Sequence, residues 1–452
     1  MTTLRSPTRA GWGRPPLCMR VMRWKNPIRR QSLRVAASAA PDVGVGERKR
    51  VVVLGGTGRV GSATAAALIR LAGKDGAMAS GIDVVLAARD GSKAPDAMAQ
   101  WPELAGASFE RCDVRDRASL ERVLGGGGGT DLVIHAAGPF QGAEPDVLDA
   151  AVSLGVPYID VCDDAEHTLR AKRDVDARAA SQGVPAVVSC GVYPGLSNVV
   201  AAFMCDRSAS GGSPYPDNEA THLRFSYFTA GSGGVGPTIL ATSILLLGEP
   251  ATVVADGEES TADAFSRRMV VEFGAKVGAR EVFALNLPET LTAHRTLGVP
   301  NVTASFGTAP GVWNGAMQAM ARVVPAGILR NRSFANAAAG ALMPLVKGVD
   351  ALVGGRTAMR IDAKYDNGKV SSSLFVHEDT AMAAGASTAA FAAAVLGGGV
   401  APGVHFPEEQ GVVGDYAAFF ALAGDGASEI ALAKAPWTFD AQAKHIGMGL
   451  YF

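Results

Sequence analysis

The first 41 residues contain no aspartate or glutamate, yet nine arginines or lysines stand among them. An acid-free, Arg-rich start with scattered Ser, Thr and Pro has the composition of an organellar transit peptide, and residues 1–42 are read as one. A secretory signal needs an unbroken apolar run of about 7 to 15 residues, which Arg5, Arg9, Arg14, Arg20 and Arg23 interrupt. Leu33-Arg34-Val35-Ala36-Ala37 looks like a chloroplast processing site, so the plastid stroma is the expected location. The mitochondrion and a plain basic tail stay open. Nowhere does the chain reach the ~18 to 20 uninterrupted apolar residues that span a bilayer. Ile239–Leu247 and Ala381–Leu396 come nearest and read as packed helices, which leaves peripheral membrane contact as the remaining membrane option. Cysteine is scarce, with five residues and no CxxC spacing, so Cys18, Cys112, Cys162, Cys190 and Cys205 are read as thiols and no metal is expected. Beyond residue 41 the chain is net acidic with no basic stripe, which argues against a nucleic-acid partner.

At 452 residues the chain exceeds what one hydrophobic core fills. From Lys49 onward, short β-branched runs alternate with amphipathic segments, the pattern of a parallel sheet with crossover helices. The expected strands are Arg50–Leu54, Asp83–Ala88, Ser108–Cys112, Asp131–His135, Tyr158–Cys162 and Pro185–Ser189, and the five-glycine run Gly125–Gly129 reads as a loop. After Pro194 the rhythm changes. Strand-like runs such as His222–Thr229 and Val302–Phe306 are more widely spaced, and Ala358–Tyr365 with Lys369–His377 flank Asp366-Asn367-Gly368, a hairpin signal. Asp379 is placed to cap a long Ala-rich helix. The expected fold class is therefore α/β: an N-terminal Rossmann parallel sheet, an inserted α+β domain containing an antiparallel sheet, and a C-terminal helix returning to the Rossmann domain. Its expected parts are a Rossmann domain over 43–200, an α+β substrate or dimerisation domain over 201–377, and a returning segment over 378–452.

The strongest motif is Val51-Val52-Val53-Leu54 running into Gly55-Gly56-Thr57-Gly58-Arg59-Val60-Gly61 and then an Ala-rich stretch. Gly56, Gly58 and Gly61 satisfy GxGxxG, whose glycines allow a tight turn, backbone approach to a pyrophosphate, and close helix packing. The helix start then offers free N–H groups and a favourable dipole to the phosphates. Cofactor choice is set at the end of the second strand, where this chain has Ala88-Arg89-Asp90. Arg89 suits the 2′-phosphate of NADP, while Asp90 as a ribose ligand would suit NAD, and NADP is the preferred reading. Asp113, after the third strand, is a candidate adenine contact. Ala137, Gly138 and Pro139, after the fourth, are candidates to line ribose and nicotinamide. His135 reads as a packed strand-end histidine.

For proton transfer the candidates are Tyr158, Asp160, Asp163 and Tyr193, of which Tyr193 and Asp163 are preferred as catalytic residues. A helix cap for Asp163 and a packed phenol for Tyr193 are the competing structural roles. The Tyr-xxx-Lys pair of short-chain dehydrogenases is absent, since Cys162 and Ser197 follow Tyr158 and Tyr193 by four. Gly231–Pro237 precedes an apolar helix and reads equally as a carboxylate-binding loop or a hinge.

Taken together, the turn at Gly55, His135–Gly142, Tyr158–Asp164 and Cys190-Gly191-Val192-Tyr193-Pro194-Gly195 resemble saccharopine dehydrogenase-like oxidoreductases. Asn286-Leu287-Pro288-Glu289, Phe306–Pro310 and Gly403–Glu409 resemble segments of the plant and cyanobacterial members, so the likeness runs over roughly residues 49 to 424. The resemblance implies an NADP-binding domain, an inserted substrate or dimerisation domain, which leaves a homodimer as one option, and hydride transfer on a small molecule. It leaves the substrate open. A true saccharopine-forming dehydrogenase would need convergent cations, for which Arg224, Arg295, Arg356 and Arg360 are available without a spacing that selects them. A cofactor-binding regulatory or assembly protein without turnover is the alternative of another class.

Overall fold

A computed structural model describes residues 48–73, 81–126, 129–230 and 236–439. The expected transit peptide, the middle of the glycine run, most of Gly231–Pro237 and residues 440–452 lie outside the described residues.

Seven strands form the first sheet: β1 (Lys49–Leu54), β2 (Ile82–Ala88), β3 (Ser108–Arg111), β4 (Leu132–His135), β5 (Tyr158–Asp160), β6 (Pro185–Val187) and, from far along the chain, a strand at Gly403–His405. They run in the order Gly403–His405, β6, β5, β4, β1, β2, β3, and every pairing is parallel. Val51 to Leu54 are completely buried, as a parallel sheet covered on both faces requires. Each such Val or Leu contributes about 1.5 to 3 kcal/mol through burial. Strand order reverses between β1 and β4, which makes the carboxyl ends of these two strands the place where a ligand fits.

The second sheet is built from β7 (Ala220–Ala230), β8 (Ala251–Ala255), β9 (Glu258–Ala262), β10 (Ser266–Glu272), β11 (Ala279–Ala284), β12 (Asn301–Ala309), β13 (Arg356–Tyr365), β14 (Val370–His377) and, beyond the strand at Gly403–His405 (β15), β16 (Glu429–Lys434). The hairpin expected around Asn367-Gly368 is β13 and β14, in register from Thr357 opposite His377 to Lys364 opposite Val370. Gly368 supplies the positive φ of its turn. Most pairings are antiparallel, but β7 and β12 run parallel, Tyr227 lying opposite Phe306, so the sheet as a whole is mixed.

The Ala-rich helix Thr380–Leu396 does return to the first sheet. Asp379 caps it by accepting from the Met382 N–H at 2.9 Å. The helix lies against helix Arg59–Ala72 so closely that a Cβ on Gly385 would come within 2.7 Å of the Ala63 backbone. Small residues on both helices permit that approach. At the far end the Lys49 ammonium donates to the Leu396 carbonyl at 3.0 Å, a cation at a helix C-terminus. The tail thus serves both sheets, adding β15 to the first and β16 to the second.

Candidate functional site

At the end of β1 the chain turns on Gly55, whose φ of +78° suits glycine and whose Cβ would meet the Ala136 carbonyl at 2.7 Å. The Gly58 N–H donates to the Gly55 carbonyl at 2.8 Å, and Ser62 N–H to Gly58 at 2.8 Å, which starts helix Arg59–Ala72. Gly61 packs so tightly that a Cβ would lie 2.3 Å from Gly55 O. Gly58 differs: it is exposed, and an added Cβ would touch only Gly55 O, at 3.1 Å. Gly56 and Gly61 are therefore required by the protein's own packing, while Gly58 leaves the outer face of the turn open for a pyrophosphate. Thr57, Arg59 and Val60 complete the turn, with Arg59 3.4 Å from Asp379.

Arg89 and Asp90 follow β2, both exposed. Asp90 caps the next turn, accepting from Ser92 N–H at 2.9 Å and Ser92 hydroxyl at 2.8 Å, and these bonds hold its pKa below the ordinary value. Among the described residues no carboxylate pairs with Arg89. Asp113 stands at the end of β3, but Arg115 takes both of its oxygens, at 3.0 and 2.8 Å, and pulls its pKa down to about 2. An adenine contact would have to compete with that pair. Ala137, Gly138 and Pro139 form the partly exposed turn after β4, and the Ala136 N–H bonds the Leu54 carbonyl, locking it beside the turn of Gly55. The turns after β1, β2 and β4 thus fit a dinucleotide along the sheet's carboxyl edge.

The acid–base candidates separate into fully buried and partly exposed groups. Tyr158 and Asp160 are interior: the Tyr158 hydroxyl donates to Asp160 at 2.9 Å, and Asp160 accepts from Cys162 and Ser189 N–H at 3.0 and 2.6 Å. That last bond holds Ser189 at a φ of 62°. His135 is buried against Phe140 and Tyr158, and burial lowers its pKa to about 3, as a neutral packed histidine. Asp163 is half-buried beyond β5. Its Oδ1 accepts from the Gln141 amide at 3.0 Å, Gln141 Oε1 accepts from the Thr242 hydroxyl at 3.3 Å, and burial raises the Asp163 pKa to about 6. Tyr193 is tied to the second sheet, its hydroxyl 2.7 Å from Thr357 Oγ1 and 3.0 Å from Thr229 Oγ1, its ring stacked at 4.6 Å on Tyr227. Burial raises its pKa, so it is a neutral hydroxyl committed to two others.

Sequence reasoning missed the groups behind Tyr193. Tyr227 donates to Glu289 Oε1 at 2.6 Å, and so does Ser197 at 3.0 Å, while the other oxygen of Glu289 has no partner. Glu289 and Glu408 are both buried, both have pKa values raised chiefly by desolvation, and Glu408 reaches about 7. Asn198 donates to Thr292 at 3.1 Å between them. Both glutamates stood in segments quoted for the family likeness, the only signal the sequence carried. The four arginines considered for a carboxylate-rich substrate are engaged elsewhere: Arg224 and Arg360 with Asp362, Arg295 with Glu259, Arg356 with Glu378. Among the described residues no group of His, Cys, Asp and Glu is placed to hold a metal, and no helix is long and apolar enough to cross a membrane.

Residues 51–188 match the family model of the saccharopine dehydrogenase NADP binding domain. None of the curated proteins matches the chain. Among solved structures, apo saccharopine dehydrogenase (L-Glu forming) from Saccharomyces cerevisiae is similar at a TM-score of 0.58 and 15% identity, covering 85% of this chain and 98% of that one. Homospermidine synthase from Legionella pneumophila, in complex with NAD, gives 0.57 and 14%, covering 86% and 92%. At such identities these two structures speak for the fold. Residues 51–188, which carry the turns around Gly55 and Ala137, thus match a saccharopine dehydrogenase NADP binding domain, and the chain shares the fold of these two structures.

Proposed function

We propose that this oxidoreductase is NADP-dependent and plastid-located, and moves a hydride between NADP and an imine or carbonyl of a small metabolite. The reaction would take place in the cleft where the carboxyl ends of β1, β4 and β5 face β7 and helix Pro237–Leu247. The observation that carries NADP over NAD is the contrast at the end of β2, where Arg89 is exposed with no ion pair among the described residues and Asp90 is committed to Ser92. The NADP-binding family model supports the same choice, although a structural neighbour holds NAD. Bound NADP would lie on Gly55–Gly61, with Arg89 at its 2′ end and Ala137–Pro139 along its ribose, and it supplies the hydride.

Asp163 is the proposed proton-transfer group, since it combines partial exposure with a raised pKa and is oriented by Gln141. Tyr193 is assigned instead to positioning: it joins the turn after β6 to β7 and β13. On this reading residues 43–200 carry the cofactor and 201–377 the substrate or the dimer contact, while the segment from 378 packs on the first part and also adds Glu429–Lys434 to the second sheet. The engaged Arg224, Arg295, Arg356 and Arg360 do not favour saccharopine as substrate. Loss of nicotinamide absorbance on mixing NADPH with a plastid metabolite extract tests turnover. Binding of NADPH without any oxidation would favour the regulatory alternative. A reporter fused to residues 1–45 tests the location, and cytosolic residence of that fusion would remove it.

A further inference from the structure

Helices Gly311–Val323, Ala326–Leu329 and Arg332–Val353 pack on helix Pro237–Leu247. On Arg332–Val353 the inward positions are Ala335, Ala339, Leu342 and Val346, at spacings of three and four. Phe334, Ala341 and Leu345 on the same helix are exposed, Leu345 at 57%. Helix Gly311–Val323 repeats the pattern: Val312, Ala316, Ala319 and Val323 are all exposed, Val312 and Val323 at 72% and 79%. Five of the large exposed hydrophobic side chains among the described residues fall in this short stretch, Ile328 being the fifth. Exposed apolar side chains clustered on two neighbouring helices are not what a solvated surface shows.

Charge says what covers it. Residues 311–353 contain Arg322, Arg330, Arg332 and Lys347 against a single acid, Asp350, in a body that is otherwise net acidic. A second copy docking on this face by two-fold symmetry would bring together two sets of cations with almost no acid to pair them. A surface of opposite sign with an apolar layer beneath it fits both features. We propose that helices Gly311–Val323 and Arg332–Val353 dock on an anionic lipid bilayer. Val312, Val323, Ile328, Phe334 and Leu345 enter the headgroup and acyl boundary, while Arg322, Arg330 and Lys347 meet lipid phosphates. Arg332 is set apart because it donates to the Pro139 carbonyl.

Sedimentation of the full-length chain with vesicles of phosphatidylcholine, with and without phosphatidylglycerol, tests the docking. Two double variants accompany it, Phe334→Ser/Leu345→Ser and Arg322→Glu/Lys347→Glu, all at exposed positions, and both keep residues 1–41 unchanged. The parent should pellet only with phosphatidylglycerol vesicles and be released by salt, and each variant should bind at least about tenfold more weakly. Equal pelleting of parent and both variants would assign binding to the basic N-terminus and overturn the proposal. So would a parent that stays in the supernatant, or a parent dimer on size exclusion that Phe334→Ser/Leu345→Ser converts to monomer.

Discussion

Gln141 links Asp163 to Thr242: its amide nitrogen donates to Asp163 Oδ1 at 3.0 Å, and its carbonyl oxygen takes the hydroxyl of Thr242 on helix Pro237–Leu247. Asp163 is thereby aimed while burial keeps its pKa near 6. Below about pH 6 the group is a proton donor, as reduction of a carbonyl or imine requires, and above it a base, as the reverse direction requires. NADPH oxidation should therefore decline as pH rises through about 6, and NADP reduction should rise. Asp163→Asn should lose this limb and about a hundredfold or more of kcat, with the NADPH Kd unchanged. A limb that persists in Asp163→Asn would assign the proton to another group.

The glycine turn offers a paired test. Gly58→Val should leave the thermal midpoint nearly unchanged and abolish cofactor binding, because its side chain enters the open space above the turn. Gly61→Ala should instead lower the midpoint, because its Cβ has only 2.3 Å to Gly55 O. Calorimetry with and without NADPH separates the two. Unchanged affinity in a folded Gly58→Val protein would move the cofactor off this turn.

Glu408 makes stability depend on pH. Burial raises its pKa from an ordinary 4.5 to about 7, outweighing the opposing pull of Thr292 and Asn198 beside it. Between those values the folded chain keeps a proton that the unfolded chain releases, so stability falls as pH rises through the window, by up to about 3 kcal/mol, and levels off above it. Glu408→Gln should remove that share of the slope, matching the parent near pH 4.5 and exceeding it at pH 8. Denaturant midpoints for both proteins across this range check the sign, and identical slopes would contradict it.

Much of this architecture is legible from local signals. Six strands of the first sheet end within two residues of where β-branched runs and glycines place them, the seventh, Gly403–His405, having gone unread, and the cap of Asp379 and the turn at Asn367-Gly368 follow from single residues. The parallel pairing of β7 with β12 is not legible, because it joins segments far apart in sequence through a register that no single turn sets. Strand β9, Glu258–Ala262, is almost wholly exposed and shows no apolar alternation to read. Glu289 and Glu408 look like surface acids in sequence and become interior only when helix Leu196–Cys205 packs between them. The hydroxyl partners of Tyr193, Thr229 and Thr357, come from another sheet, so no local signal shows them.

The central claim is that Arg89 reads the 2′-phosphate of NADP, and the dissociation constants of NADPH and NADH for the parent and Arg89→Ala, at two salt concentrations, test it most directly. A charge-assisted contact of about 1.5 to 3 kcal/mol predicts that the substitution weakens NADPH about tenfold to a hundredfold and leaves NADH nearly unchanged. The parent's preference should shrink as ionic strength rises, since Arg89 is exposed. Equal weakening of both cofactors, or a parent that binds NADH as tightly as NADPH, would contradict the account.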